Sequence, residues 1–152
     1  GWGRDPGANR GLGIAFSYGH LGYVSHVAGV SAKGSRVTVE KVVSAVDVGP
    51  ILNLSGARNQ VEGCVIDGLS TAQLEITFEG GATRQDNFQN YRLLKIRQAP
   101  EIDVHFIQSD NSPTGLGEPP ILAVAPAIAN AIFAATGTRI REMPFRRSGI
   151  TV

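Results

Sequence analysis

Apolar and polar residues alternate with a period of two along the first part of the chain, which is the pattern of β-strands with one buried face. Residues 13–18 predict a short strand, and residues 23–32 and 36–47 predict two longer ones. The turn residues at 33–35 join the longer strands into a hairpin, in which the alternation slips near Lys41. Four residues of the first long strand share the side that we expect to be buried: Val24, His26, Ala28 and Val30.

Two helices are predicted in the remaining chain from apolar residues spaced three and four apart. In the first helix, over residues 55–74, the apolar stripe consists of Val61, Val65, Leu69 and Ala72. Gly63 and Gly68 are expected to let a neighbouring segment approach this helix closely. The second helix, over residues 121–136, is rich in alanine and ends at the capping residue Gly137. Because it carries almost no charge, we expect it to be buried on most sides.

Shorter patterns complete the secondary structure and decide the fold class. Residues 76–78, which precede a glycine-rich turn, predict a strand, and so do the alternating residues 102–107. Residues 139–143 predict a last strand. Strands and helices do not alternate strictly along the chain, as they do in a doubly wound sheet. We therefore predict an α+β fold with a mixed sheet and two main helices.

The chain is expected to form a single folded unit over residues 1–152. Hydrophobic residues make up 42% of it, which is enough for a core, and only 18% of the residues are charged. Residues 1–10 contain no initiator methionine and many turn-forming residues, so we expect a connecting loop, in a fragment, in a processed chain or in one half of a split subunit. Residues 145–152 are expected to be a tail.

The charge and cysteine content disfavours several classes of function. The formal net charge is +1, and the chain lacks the long basic run that is typical of binding to nucleic acid or to acidic membranes. With Cys64 as its only cysteine, the chain has neither an intrachain disulfide nor the thiol cluster of a zinc or iron–sulfur site. The longest apolar run, 121–135, is interrupted by Pro126 and Asn130, so we do not expect a transmembrane segment.

One acidic residue has an unusual setting just before the second helix. Glu118 follows Gly115-Leu116-Gly117 and precedes Pro119-Pro120. A residue before proline is restricted towards extended backbone geometry, and Gly117 lets a neighbour come close to the main chain. We therefore expect the Glu118 side chain to project from a stiff and partly dry site, where burial would suit it to act as a general base. The alternative is an exposed residue of the first helical turn, favoured there by the helix dipole.

The sequence around Glu118 resembles a known family. Gly115-Leu116-Gly117-Glu118-Pro119-Pro120 and the apolar residues 123–132 that follow are similar to the end of the catalytic subunit of molybdenum hydroxylases. These include xanthine dehydrogenases, aldehyde oxidoreductases and the isoquinoline 1-oxidoreductase-like bacterial enzymes, which the chain resembles most. Three further stretches agree with the family in the same order: 42–49, 60–69 and 99–104. The resemblance covers nearly the whole chain, from about residue 11 to residue 144.

This resemblance implies a function for named residues. It implies that the chain is the C-terminal part of the molybdenum-cofactor-binding domain, in the large subunit of an enzyme that hydroxylates an aldehyde or an N-heterocycle. Glu118 would lie next to the molybdenum without being a firm ligand, and would accept a proton while water-derived oxygen moves onto an electron-poor carbon. Gln60 would hydrogen-bond the pterin, since an amide offers both a donor and an acceptor, and Gly117 would contact the cofactor. Otherwise Gln60 is a solvent-exposed helix residue.

The resemblance also implies a cofactor and partners. Most residues that hold the cofactor and shape the substrate pocket in this family lie before the segment that the chain resembles, so we expect no activity from the chain alone. It would act with the remainder of the large subunit and with a small subunit that carries [2Fe-2S] clusters. The cofactor would be molybdenum–molybdopterin, in the cytosine dinucleotide form that bacterial relatives suggest. Those relatives occur in the bacterial cytoplasm and in the periplasm, so the compartment stays open.

Two other functions compete with the hydroxylase. A non-catalytic module that packs on a partner chain would explain the apolar second helix equally well. A hydrolase that uses Glu118 with a histidine is disfavoured, because His20, His26 and His105 are scattered without the spacing of a catalytic pair or a metal site. Each histidine is expected to be structural, and Asp47 is expected to shape a turn.

Overall fold

The computed structural model describes residues 2–152, so Gly1, the first residue of the expected connecting loop, lies outside the described part. The strands and helices of that part are, in chain order, β1 Arg10–Gly19, β2 Gly22–Lys33, β3 Arg36–Asp47, α1 Leu54–Thr71, β4 Phe78–Glu79, β5 Ala82–Thr83, β6 Glu101–Phe106 and α2 Val124–Thr136. Short 3-10 helices accompany them at Ile96–Gln98, Pro119–Ile121 and Phe145–Ser148.

The centre of the fold is one mixed sheet with the strand order β1-β2-β3-β6. β1, β2 and β3 are joined antiparallel, and β6 lies parallel to β3. The register between β2 and β3 shifts between Gly29 and Val30, where Glu40 is the extra residue of a bulge. The predicted hairpin, its slip near Lys41 and the α+β fold class are therefore confirmed. The four residues predicted for the buried face of β2 are each at most 1% exposed: Val24, His26, Ala28 and Val30.

α2 lies directly on β1, where two glycines remove the side chains that would separate strand from helix. A Cβ atom at Gly13 would overlap the backbone of α2 at Ala127 O and Ala131 N, and one at Gly11 would lie 2.6 Å from Ala135 N. The side of α2 that faces the sheet is buried and consists of Val124, Ala127, Ile128, Ala131 and Ile132. The other side is exposed at Phe133, so the expected burial of this helix on most sides is wrong for this chain.

The run Pro119–Thr136 is also long and apolar enough to cross a membrane by length and composition. Of this window, 44% is buried inside the chain, and a core helix of a folded domain meets the same test. Its first residues form a 3-10 helix, and α2 begins only at Val124 instead of the predicted residue 121.

α1 begins and ends close to the predicted bounds of 55–74. It begins after Asn53, whose side-chain oxygen accepts from the backbone N–H of Gly56 at 2.9 Å. It ends at Thr71: the backbone N–H of Ala72 still bonds to Gly68 O, four residues back, whereas those of Gln73 and Leu74 bond to carbonyls three residues back, which tightens the last turn. A Cβ at Gly68 would lie 2.8 Å from Val124, which confirms the expected close approach there. At Gly63 nothing lies within 4 Å, so that expectation is wrong.

Residues 139–143 do not form the predicted last strand. The Arg139 guanidinium lies 3.4 Å above the centre of the Phe133 ring and donates to Asn130 Oδ1 at 3.0 Å. Both partners belong to α2, so this segment folds back along the helix instead of pairing with a strand. The strand predicted at 76–78 is displaced by two residues, since β4 and β5 pair around the turn Gly80-Gly81.

The last residues pack into the fold at a place where we expect a tail. Phe145 and Ile150 are 1% and 5% exposed and belong to the main core. Thr151 forms a parallel bridge with Arg36, and its carbonyl accepts from the backbone N–H of Val37 at 2.8 Å. At the other end of the chain, residues 2–9 form turns and bends before β1 begins.

Candidate functional site

The residues predicted for the site come from α1 and from the loop that leads to α2. Gln60 precedes Cys64 by one turn of α1, so both lie on the same side of the helix. The Cys64 thiol donates to the carbonyl oxygen of Gly117 at 3.0 Å. A Cβ at Gly117 would lie 3.5 Å from Gln60 Oε1, which is an ordinary contact. The structure therefore brings Gln60 and Gly117 together, with Glu118 as the next residue along the loop.

Cys64 is the buried member of this group, with 5% of its surface exposed. Its pKa is raised, first by burial and then by the negative charges of Asp67 and Glu118. The thiol therefore stays protonated at neutral pH and keeps its hydrogen bond to the loop. No such role was predicted for Cys64 from the sequence.

Asp47, at the end of β3, anchors the start of the same loop. Its Oδ1 accepts from Ser109 Oγ at 2.5 Å and from the backbone N–H of Gly49 at 3.2 Å, and its Oδ2 accepts from Asn111 Nδ2 at 2.9 Å. These donors lower the pKa of Asp47, with Ser109 as the largest cause. The prediction that Asp47 shapes a turn is confirmed, and the same carboxylate also holds a loop more than 60 residues away in sequence.

The tip of the β1–β2 hairpin supports the loop from the other side. The backbone N–H of Thr114 donates to Val48 O at 3.1 Å, and the Thr114 hydroxyl donates to His20 O. His20 and Leu21 both have a positive φ, as a tight two-residue hairpin turn requires. The loop therefore runs between the ends of β1, β2 and β3.

The backbone at Glu118 does not have the expected extended geometry. Its φ is −123° and its ψ is −41°, because the residue is the N-cap of the 3-10 helix and its carbonyl accepts from Ile121 N at 2.9 Å. This hydrogen bond turns the chain immediately at Pro119, against the usual preference of a residue before proline. The expected stiffness is present, since the turn is closed and Pro119 and Pro120 are buried.

The Glu118 side chain itself is exposed. In this chain 80% of its surface is accessible, so the expected partly dry setting is wrong for the chain alone. Its Oε2 lies 3.3 Å from His20 Nε2, and the imidazole is also largely exposed. A contact between two exposed groups of this kind contributes little to stability. The pair instead places a histidine next to the predicted catalytic acid, which the sequence spacing does not reveal.

His26 binds the turn that follows Glu118 from inside the sheet. Its Nε2 lies 2.6 Å from the carbonyl oxygen of Pro120, and its Nδ1 lies 2.9 Å from Ser44 Oγ. His26 is fully buried, and burial lowers its pKa, although the bond to Pro120 acts in the opposite direction. A structural histidine was predicted here, because the three histidines of the chain are scattered without the spacing of a metal site or a catalytic pair. Its partner in the loop could not be predicted, since Pro120 is 94 residues away.

Within residues 2–152, no group of three or more His, Cys, Asp or Glu side chains is placed to hold a metal ion. The polar groups at this edge are instead the exposed Gln60 amide, the exposed Glu118 carboxylate and the His20 imidazole. Such groups can donate and accept hydrogen bonds and protons towards a molecule bound next to them. The described residues therefore suit one wall of a site rather than a metal centre of their own.

Comparisons with known proteins identify the family. Residues 5–100 match the model of the molybdopterin cofactor-binding domain. Over 93% of the chain, the sequence is 34% identical to the isoquinoline 1-oxidoreductase subunit beta of Brevundimonas diminuta, of which it covers 19%. Over 75% of the chain, it is 41% identical to a protein of Gluconacetobacter polyoxogenes named as a membrane-bound, pyrroloquinoline-quinone aldehyde dehydrogenase, of which it covers 15%.

A solved structure has the same fold. Quinoline 2-oxidoreductase from Pseudomonas putida 86 matches 82% of the chain with a TM-score of 0.73 and 18% identity, and 17% of that protein is covered. The chain thus spans less than a fifth of the length of each of these relatives. The family model includes Gln60 and ends before Gly117 and Glu118, whereas the alignment to the Brevundimonas subunit covers nearly the whole chain. The resemblance drawn from the motifs is confirmed, and the chain belongs to the molybdopterin cofactor-binding domains of the xanthine dehydrogenase and aldehyde oxidoreductase family.

Proposed function

We propose that this chain forms one wall of the active site of a molybdenum hydroxylase. The proposed enzyme oxidises an aldehyde or an N-heterocycle with oxygen derived from water and passes the electrons to iron–sulfur clusters of a partner subunit. Family membership supports the cofactor, and the names of the relatives include an isoquinoline oxidoreductase and an aldehyde dehydrogenase. The observation that carries the proposal is the placement of Gln60, Gly117 and Glu118 at one exposed edge, where α1 meets the loop.

The residues at this edge fit a cofactor whose metal is held elsewhere. Since the described residues contain no cluster able to ligate a metal, the chain would contact the pterin and the substrate side of the site. The exposed Gln60 amide offers a donor and an acceptor to the pterin. Gly117 is exposed and has no side chain, so its main chain is open to a close approach. We assign the pterin contacts to these two residues, and the cytosine dinucleotide form of the cofactor is part of the same proposal.

Glu118 would act as the proton acceptor of the reaction. When bound, the molybdenum cofactor would take up the two electrons that leave the substrate. Conversion of an aldehyde to a carboxylic acid adds one oxygen atom from water and releases two electrons and two protons. A carboxylate oxygen of Glu118 would accept one of these protons as the oxygen atom bonds to carbon. The His20 imidazole, 3.3 Å away, would orient the carboxylate during this step.

Because Glu118 is exposed in this chain, we propose that other parts of the large subunit complete the site around it. Proton transfer to a carboxylate is most effective where water is excluded, and 80% of the Glu118 side chain is open in this chain. Near the same hairpin tip, an aromatic cluster is exposed on the outer side of the sheet: Phe16, Tyr18 and Tyr23. We propose that the chain is the C-terminal portion of the domain, that the remainder of the large subunit covers these surfaces, and that the chain alone has no activity.

The test replaces Glu118 by glutamine in the enzyme assembled from this chain, the rest of its large subunit and the iron–sulfur subunit. Glu118→Gln keeps the shape of the side chain and a hydrogen-bonding group near His20, but it cannot accept the proton. We expect kcat per bound molybdenum to fall by at least about 10²-fold, as is typical when a general base is removed. Glu79→Gln, at an exposed position on β4, is the matched control and should keep the activity of the parent enzyme.

Elemental analysis of the same preparations separates the proposal from its competitors. The expected result is molybdenum in the parent and in both variants, with activity lost only in Glu118→Gln. Full activity in Glu118→Gln at normal molybdenum content would refute the role of Glu118. Active enzyme that contains a bound quinone and no molybdenum would refute the cofactor, and would agree with the quinone named for one relative. An assembled, inactive complex that contains neither would favour the non-catalytic module.

A further inference from the structure

We propose that His26 is a positioning residue that holds Glu118 in its catalytic place by binding the carbonyl of Pro120. This inference rests on the proposed function of Glu118 and adds a residue from the interior of the sheet to that site. His26 is in the middle of β2, with Val24 and Ala28 on the same buried side. Its imidazole makes a buried hydrogen bond between the core of the sheet and the turn that carries Glu118.

The two hydrogen bonds of His26 determine its tautomer. A carbonyl oxygen can only accept, so Nε2 carries the proton and donates to Pro120 O over 2.6 Å. In the neutral ring Nδ1 is then an acceptor, and the Ser44 hydroxyl donates to it at 2.9 Å. Both partners are buried, and Ser44 on β3 fixes the ring plane from the side opposite the loop. The two hydrogen bonds therefore give both ring nitrogens of His26 a partner, and both bonds are donated in the same direction, from Ser44 to His26 and from His26 to Pro120.

The position of Pro120 makes this bond effective on Glu118. The prolines at 119 and 120 have fixed φ angles and no N–H group, so the turn is held through its carbonyls, at Glu118 by the N–H of Ile121 and at Pro120 by His26. Ser17 Oγ approaches Pro119 O at 3.5 Å, which is too long for a strong hydrogen bond. Since the φ angles of Pro119 and Pro120 are fixed, only their ψ angles can absorb a displacement of the Pro120 carbonyl before it reaches the Glu118 backbone.

The experiment compares two amides at position 26 in the assembled enzyme. In His26→Gln the terminal amide nitrogen can reach the position of Nε2 and donate to Pro120, whereas in His26→Asn the shorter side chain reaches only the position of Nδ1. We expect His26→Asn to lower kcat per molybdenum by about 10²-fold, since a displacement of about 1 Å at a reacting group has that effect. KM should change by less than about threefold, and His26→Gln should recover most of kcat, because the substrate and pterin contacts are untouched.

A double variant distinguishes positioning from a general loss of structure. If His26 acts through Glu118, the change His26→Asn has no further effect on the residual activity of Glu118→Gln. Equal kcat values for His26→Asn and His26→Gln, or an undiminished effect of His26→Asn in the Glu118→Gln background, would overturn the inference. Unchanged activity in Glu118→Gln alone would instead refute the proposed function, whatever the His26 variants show.

Ser44→Ala decides the question if neither His26 variant assembles. This change removes the hydroxyl that orients the ring and leaves the bond between His26 and Pro120 possible. We expect kcat per molybdenum to fall by a few fold, with normal molybdenum content and an unchanged KM. Parent kcat in Ser44→Ala, in the absence of assembled His26 variants, would count as refutation.

Discussion

Replacing Gly13 by alanine should separate α2 from the sheet that supports the site. Gly13 lies in β1 directly beneath α2, and its Cβ would overlap Ala127 O and Ala131 N and would come within 2.7 Å of Asn130 C. These are backbone atoms on both sides of the contact, so no side-chain rotation can make room. The helix has to move away from the strand, or the strand has to bend.

The expected cost follows from the contact that this movement opens. A gap of about 0.5 to 1 Å already removes a quarter to a half of the dispersion energy of the atoms on either side. α2 contributes five buried residues, from Val124 to Ile132, to that interface. Inserting an extra methyl group into a packed core usually costs about 1 to 3 kcal/mol. Because the overlap here is with backbone, we expect the free energy of unfolding to fall by about 3 kcal/mol or more.

Urea unfolding of the chain, followed by circular dichroism, measures this difference. Gly63→Ala is the matched control, since it adds the same methyl group to α1, where a Cβ has no neighbour within 4 Å. The control should raise stability by about 0.5 to 1 kcal/mol, because alanine favours a helix more than glycine does. If the free energy of unfolding of Gly13→Ala stays within about 1 kcal/mol of that of the parent chain, the inferred direct contact between β1 and α2 is wrong.

The same unfolding assay tests the buried histidine and the C-terminal residues. Burial lowers the pKa of His26 below 6.5, so below pH 6.5 the unfolded chain binds a proton that the folded chain does not. The contribution of neutral His26 to the free energy of unfolding is therefore fully present above pH 6.5. It falls as the pH drops towards the folded pKa, by at most about 1.4 kcal/mol per pH unit. The His26→Gln variant should lack this slope. Identical pH profiles of stability for the parent chain and for His26→Gln would contradict this prediction. Phe145→Ala should cost about 3 to 5 kcal/mol, whereas Met143→Ala, 56% exposed, should cost under about 0.5 kcal/mol, and equal midpoints for the two variants would show that residues 145–152 are a loose tail.

Local patterns were sufficient to predict the hairpin, since neighbouring residues alone determine it. The period of two in β2 and β3 sets the buried face, and the bulge residue Glu40 breaks that period within the sequence itself. The second helix was predicted together with its C-cap, because glycine is the residue that most readily adopts the left-handed geometry that ends a helix. Gly137 has that geometry. The strand predicted at residues 139–143 is wrong: only Ile140 and Met143 are apolar there, three residues apart, and so short a segment does not show whether a strand edge is available to it.

Three residues of the candidate site were predicted from the sequence, but their contacts and the neighbouring Cys64 and His20 were not. Gln60, Gly117 and Glu118 were found through motifs that resemble a family, and the structure brings Gln60 and Gly117 together. The partners that hold them come from distant strands, as His26 does for the turn after Glu118. Burial of a polar residue can be predicted from an alternating strand, but its hydrogen-bond partner depends on how α2 lies on the sheet.

The exposure of Glu118 and the burial of its supports belong to one arrangement. The carbonyl before Glu118, at Gly117, accepts from the buried Cys64 thiol, and the carbonyl of Pro120, two residues after it, accepts from the buried His26 ring. A surface cap would instead accept from the first N–H groups of the helix, and the Glu118 side chain makes no such hydrogen bond. Two buried donors on either side of one exposed acid keep the backbone fixed while the carboxylate stays open to a neighbouring group. That combination favours a functional acid over a surface cap. The exposure of the side chain, considered without these backbone contacts, would suggest a surface cap instead.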